Sequence, residues 1–165
     1  MRDVHWGSPL LRLGAITATL GVALAMPVLA EEVGSFNNDW VGNSIVVEAI
    51  PDPGVQGVTC HISHYSRGLI DRLRNGNWFE DPSNASISCR QTGPIAIGKI
   101  ERGSSGEEVF SERKSFIFKS LGVRRVFDEA NQTLVYVVYS RQITEGSAKM
   151  AISTVALYGQ QVAGK

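Results

Sequence analysis

The feature that most limits what this chain can become is the placing of its only two cysteines. Cys60 lies in Gln56-Gly57-Val58-Thr59-Cys60-His61-Ile62-Ser63-His64, and Cys89 in Ala85-Ser86-Ile87-Ser88-Cys89-Arg90-Gln91. Both runs are rich in Val, Ile, Ser and Thr and read as β-strands. Two cysteines on two strands of an exported chain are expected to form a structural disulfide. That bond would close a loop of about 30 residues and stabilise the fold by roughly 3–4 kcal/mol.

Export is read from the first 30 of the 165 residues. Arg2 and Arg12 supply positive charge, Leu13 to Ala25 is apolar apart from Thr17 and Thr19, and Pro27-Val28-Leu29-Ala30 ends in small residues at the positions a signal peptidase inspects. This is the layout of a secretory signal peptide, with cleavage expected between Ala30 and Glu31. The apolar core of 13 residues is too short to span a bilayer of about 30 Å as a helix. No cysteine follows it that would invite a lipid anchor. No later stretch is long and apolar enough to cross a membrane. The expected mature chain, residues 31–165, has the length of a single domain with its own core.

Beyond residue 30 stand 14 Lys and Arg against 15 Asp and Glu, a formal charge near −1. Proteins that grip nucleic acid usually carry a basic excess to replace phosphate counterions, so nucleic acid is not an expected partner. The densest basic spots, Arg72 with Arg74, Arg113-Lys114 and Arg124-Arg125, have acidic residues close by and read as a solvated face of mixed charge.

Asn37-Asn38-Asp39 reads as a turn and Asn43 to Ile50 as a strand. Pro51-Asp52-Pro53-Gly54 then forces a sharp turn, because two prolines remove two donors and Gly54 tolerates positive φ. Leu69, Ile70 and Leu73 stand at helical spacing. Asn77 to Asn84 reads as loop, and Gly93-Pro94 is expected to break the Cys89 strand before the apolar run Ile95 to Ile100. Val109-Phe110 and Phe116-Ile117-Phe118 suggest one long strand or two joined by a bend. Val123 to Phe127 and Leu134 to Tyr139 form a hairpin across Asp128 to Gln132. Leu134 to Tyr139 is apolar at both alternating positions, which suggests a strand covered on both sides. Glu145-Gly146-Ser147 is a turn and Met150 to Leu157 a last strand. The expected fold is mainly β: one small antiparallel domain, a sandwich or a partly closed barrel, with one short helix and one disulfide; an α+β arrangement is the alternative.

Several of these segments resemble one family. Gly57-Val58-Thr59-Cys60, Ala85-Ser86-Ile87-Ser88-Cys89-Arg90-Gln91-Thr92-Gly93-Pro94-Ile95 and Phe118-Lys119-Ser120-Leu121 are similar to the CreA family of bacterial proteins. Glu31 to Ser35, Val46-Val47-Glu48-Ala49 and Glu145-Gly146-Ser147 extend the resemblance over the expected mature chain, and both cysteines fall on the family's cysteines. The resemblance implies a small periplasmic protein of Gram-negative bacteria with no settled molecular activity. The chain departs from the family between the cysteines, where Arg67 to Phe79 replaces a glycine-rich segment.

No motif assigns a chemistry. Redox catalysis would want the cysteines close together as C-x-x-C, beside a helix N-terminus that lowers the thiol pKa. His61 and His64, three apart on a strand, point to opposite faces, so neither a metal nor any other cofactor is indicated. Gly103-Ser104-Ser105-Gly106 lacks nucleophile-elbow spacing, and no phosphate loop occurs. Asp52, Asp71, Glu80 and Asp81 are carboxylates that folding could pair. Arg90 is the one charged residue within the central motif, and a guanidinium pinned beside a disulfide could recognise a carboxylate or phosphate. Against that stands the usual fate of an arginine, an ion pair at the surface. Trp40, Trp78 and Phe79 near turns could form an apolar lip, although packing is the commoner role of such aromatics. The function expected from the whole is a non-enzymatic periplasmic protein that binds an envelope protein or a small ligand. The rival is a periplasmic hydrolase or lyase using clustered carboxylates with Arg90.

Overall fold

The computed structural model describes residues 29–75, 84–111, 114–141 and 148–160. Most of the expected leader, Trp78, Phe79, Glu80, Asp81 and the Glu145-Gly146-Ser147 turn lie outside the described residues.

Within the described residues the strands form two antiparallel sheets of four. The first joins β1 (Glu31–Asn37), β2 (Ser44–Pro51), β3 (Val55–Ser66) and β4 (Ala85–Ile97) in chain order. The second joins β5 (Glu107–Glu108), β6 (Leu121–Asp128), β7 (Thr133–Ser140) and β8 (Met150–Ala156), again in chain order. One short helix, α1 (Leu69–Asn75), links β3 towards β4. The protein is mainly β and its sheets do not close into a barrel.

The strands form where alternation allows one face to leave water. On β3, Cys60, Ile62 and His64 are buried, while Thr59, His61 and Ser63 face away. Ile50, Ile62, Ile87, Val123, Leu134 and Val138 fill the space between the sheets, and the Phe110 and Phe118 rings pack at 5.4 Å. Burial of such side chains stabilises by about 1.5–3 kcal/mol each, which makes this layer the main source of stability.

Several segments depart from the pattern read in the sequence. Glu31 to Asn37 carries little β propensity and all seven residues are exposed, yet the segment becomes a strand by pairing with β2. Gly93-Pro94 does not break β4. Gly57, at φ 79°, sits in a bulge where the register jumps from Gln56↔Ala96 to Val58↔Gln91. The bulge absorbs the proline, which has no N–H to offer the ladder. A Cβ at Gly57 would collide with the carbonyls of Gly93 and Pro94. Phe116–Lys119 is a 3-10 helix rather than a strand, because Ser115 caps it by accepting the Ile117 N–H. β7 is covered on one face only: Leu134, Tyr136 and Val138 are buried, while Val135, Val137 and Tyr139 on the other face are half-buried. Tyr139 lies across Gly122, where a Cβ would meet its ring.

Candidate functional surface

Cys60 and Cys89 are bonded at 2.05 Å, with their Cα atoms 3.9 Å apart. They face each other directly in register, at a narrow, non-hydrogen-bonded position of the ladder. The Cys89 N–H therefore points to the outer edge of β4, where Ser153 Oγ of β8 accepts it at 2.7 Å. This contact joins the two sheets along one side. Both cysteines are buried, which suits a structural bond rather than a reactive thiol pair.

On the other side a buried ion-pair network joins the sheets. Asp52, in the β2–β3 turn, accepts the N–H groups of Gly54 at 2.7 Å and Val55 at 3.0 Å. It also accepts the Arg125 guanidinium from β6 and, at 2.6 Å, the Tyr136 hydroxyl from β7. Arg125 donates its other nitrogen to Glu107 of β5. Arg125 is 2% exposed, so the expectation of a solvated Arg124-Arg125 pair fails for Arg125. β6 puts alternate residues on opposite faces, and only Arg124 faces outward. Burial alone would lower the Arg125 pKa, but the hydrogen bond and charge of Asp52, then Glu107, hold it above its ordinary value. Burial and then Asp52 raise that of Tyr136. Gly54 is required because a Cβ would stand 2.8 Å from the Arg125 guanidinium. Both oxygens of Asp52 are engaged, so Asp52, Arg125 and Tyr136 act as a buried cross-sheet latch.

A second interior group contains Glu48 of β2, His64 of β3 and Ser115. Ser115 donates to Glu48 Oε1 at 2.9 Å, and His64 Nε2 stands 3.6 Å from the same oxygen. Glu48 Oε2 and both His64 nitrogens are buried without a hydrogen bond among the described residues. The serine hydroxyl is turned to the carboxylate rather than the imidazole. It therefore lacks the base that a serine nucleophile needs.

The register puts Arg90 opposite Thr59, exposed on the outer face of the first sheet. His61 faces the same way and His64 the opposite way. Cross-strand hydroxyl pairs decorate that face, Thr59 with Thr92 at 2.9 Å and Ser63 with Ser86 at 2.8 Å. Asp52 and Glu48 lie under the inner face, and Asp71 of α1 pairs with Arg67 just before the helix. The structure does not bring Arg90 together with any of them. Among the described residues, no three His, Cys, Asp or Glu side chains gather where a metal could be held.

The most unusual surface is at one end of the first sheet. Asp39 organises the β1–β2 turn, accepting the Val41 N–H at 3.0 Å, the Asn43 N–H at 3.1 Å and the Asn43 side-chain amide at 2.6 Å. Asn43 Oδ1 in turn accepts the Gly68 N–H at 2.8 Å, tying this turn to the start of α1. A Cβ at Gly68 would run into the carbonyl of Gly42, so only glycine allows so close an approach. The two segments form one tip, and its large apolar side chains face water: Trp40 is 86% exposed, Leu69 66%, Leu73 62%, and Phe36 and Ile70 59%. The sequence predicted α1 and singled out Trp40. It missed Phe36 and the orientation of α1, since helical spacing normally marks a face turned to the core.

Burial alone would raise the Asp39 pKa, but the hydrogen bonds from the Asn43 side chain and from the Asn43 and Val41 N–H groups outweigh it and hold the group below its ordinary 3.8. A depressed carboxylate stabilises above its unfolded pKa, and that contribution is lost as pH falls through the folded value. Amide-exchange protection at Val41 and Asn43 is therefore expected to be constant from neutral pH to about 4 and to collapse below it. Protection that persists in acid at both amides would contradict the capping role of Asp39.

Residues 33–160 match the family model described as CreA protein. This chain belongs to the CreA family. It is 44% identical over 133 residues to the Protein CreA of Escherichia coli K12, covering 76% of this chain and 83% of that protein. The same figures hold for Protein CreA of the O6:H1 and O157:H7 strains. No solved structure matches the fold. The CreA match spans both sheets, the disulfide, the latch and the tip. No helix among the described residues is long and apolar enough to cross a membrane.

Proposed function

We propose that this CreA-family protein is an exported, periplasmic, non-enzymatic protein that works by binding an envelope partner through the Trp40–α1 tip. The observation that carries this reading is the tip itself: five large apolar side chains, each more than half exposed, on the end of β1, the turn after it and α1, with that turn hydrogen-bonded to Gly68 just before the helix. Contiguous exposed apolar surface marks interaction sites. The interior polar groups offer no comparable opening, since the latch is satisfied internally and Ser115 is turned to Glu48. The hydrolase reading gains no support from the geometry, because Arg90 is separated by the sheet from Asp52 and Glu48. Arg90 is roughly 23 Å along the strand from the tip, at about 3.3 Å per residue. It would serve a separate anionic contact. Export is supported by the charged and apolar leader and by β1 starting at Glu31, the expected first mature residue.

The test has two readings. Protein recovered from the periplasm is expected to begin at Glu31, and a mature product that keeps residues 13–25 would overturn export. A photo-cross-linking amino acid at position 40 is expected to form envelope adducts in cells that the same group at position 154 does not. Equal labelling from both positions, or none from position 40, would remove the tip as the working surface.

A further inference from the structure

Resting on the reading that the leader is cut between Ala30 and Glu31, we propose that the cut creates an interior ion pair: the new α-ammonium of Glu31 docks on the Glu48 carboxylate and locks β1 in place. Glu48 has room for such a partner. Its Oε1 accepts the Ser115 hydroxyl at 2.9 Å. His64 Nε2 stands 3.6 Å from that same oxygen, too far for a hydrogen bond. Glu48 Oε2 is buried and makes no hydrogen bond among the described residues, and neither does either nitrogen of His64. Among the described residues, His64 is the one basic side chain within ion-pair distance of Glu48. A buried carboxylate with an open oxygen is costly until a cation or a donor reaches it.

The register brings the cut to that oxygen. Across the β1–β2 ladder Glu32 faces Glu48 and Glu31 faces Ala49, and opposite residues stand about 4.5–5.5 Å apart. Directly opposite residues share a sheet face, so Glu32 and Glu48 set two carboxylates on one side, an unfavourable pairing that a cation offsets. Ala30, two residues before Glu32, packs against the core from that side. Its N–H donates to the Lys114 carbonyl at 3.1 Å, next to the Ser115 that holds Glu48. The bond to be cut therefore lies within reach of the Glu48 side chain. Its hydrolysis by a signal peptidase consumes one water: the carboxylate leaves on Ala30 with the leader, and the amine left on Glu31 takes up a proton. Such amines ordinarily titrate at about 7.7–8.0, so the group is mostly charged at neutral pH. Before the cut the same nitrogen is a neutral amide and cannot supply the charge. All seven side chains of β1 are exposed, so the strand has little besides its ladder to hold it. Processing adds the missing tie, and the first strand of the precursor stays loose enough to be cut.

The experiment compares disulfide-bonded protein recovered from the periplasm with a chain that keeps Leu29 and Ala30, which moves the terminal charge by about 7 Å along the strand. Each is made with and without Glu48→Gln, and the N-terminus of each is sequenced. In the chain that begins at Glu31, Glu48→Gln is expected to lower the melting temperature by about 5 °C more than it does in the extended chain. The second measurement is labelling of the α-amine at neutral pH. The Glu31 amine is expected to react about tenfold more slowly than in Glu48→Gln, because the reagent needs the free base and the carboxylate favours the charged form. The melts also show that every variant labelled is folded. A periplasmic protein that starts elsewhere than Glu31 would overturn the cleavage reading and this one with it. A Glu31 amine that labels equally fast with and without Glu48→Gln would leave cleavage standing and overturn the ion pair. An equal melting loss from Glu48→Gln in both chains would show that Glu48 answers to another partner, and the ion pair would fall on that result too.

Discussion

Asp52→Ala is expected to destabilise the protein by about 3–5 kcal/mol at neutral pH, the range for breaking a buried ion pair from one side. The change leaves Arg125, 2% exposed, with Glu107 as its remaining acidic partner in this network. It also orphans the Tyr136 hydroxyl, which donates to Asp52 at 2.6 Å, and the Gly54 and Val55 amides that Asp52 caps. The Tyr136 hydroxyl and the two turn amides lose this acceptor at once, so the cost exceeds that of a solvent-exposed pair, for which about 1 kcal/mol is an upper figure. Asp52→Asn should fall between, since the amide oxygen still accepts from the turn while the charge facing Arg125 is gone. Urea unfolding decides it: a midpoint drop equivalent to less than about 1 kcal/mol for Asp52→Ala would show that the latch is dispensable.

Cys60→Ser is expected to cost about 2–5 kcal/mol, the range for removing a native bridge from a small secreted domain. The bond spans a sequence separation of 29, and the segment it closes contains α1, whose apolar side chains bury little against the core. Much of the stabilisation therefore comes from restricting the unfolded chain. The bond also fixes register, because Cys60 and Cys89 face each other directly. A slip of one residue would carry Thr59 and Arg90 into the core. Cys60→Ser/Cys89→Ser should cost about as much as either single change, since both remove the same cross-link. Labelling of denatured, unreduced protein should find no free thiol. Two reactive thiols per chain would show that the bridge is not formed.

Much of the scaffold was legible because alternation and turn chemistry are local signals. The β3 and β4 strands, the Asp52 turn, the β6–β7 hairpin, α1 and the disulfide could all be read from runs of a few residues. What could not be read depends on partners far away in sequence. Arg125 looks like any surface arginine until β6 places it over a carboxylate 73 residues away. β1 forms because β2 offers it a ladder, although its own residues are exposed and weakly inclined to strand. The β4 strand survives Gly93-Pro94 because its own extra residues bulge out opposite Gly57 of β3, whose missing Cβ makes room for them. The second face of β7 has only β-branched and aromatic side chains, and sequence alone does not say whether another layer lies over them. The same limit applies to the tip. Leu69, Ile70 and Leu73 have the spacing of a core face, and only the folded arrangement shows them turned to solvent.

Hydrogen–deuterium exchange on the mature protein, with and without native envelope membranes, tests the central claim most directly. Added membranes are expected to slow exchange in residues 36–43 and 67–75 while β4, β7 and β8 keep their rates. Unchanged rates at the tip, with protection appearing instead around Arg90 or over Val135, Val137 and Ile152, would contradict it.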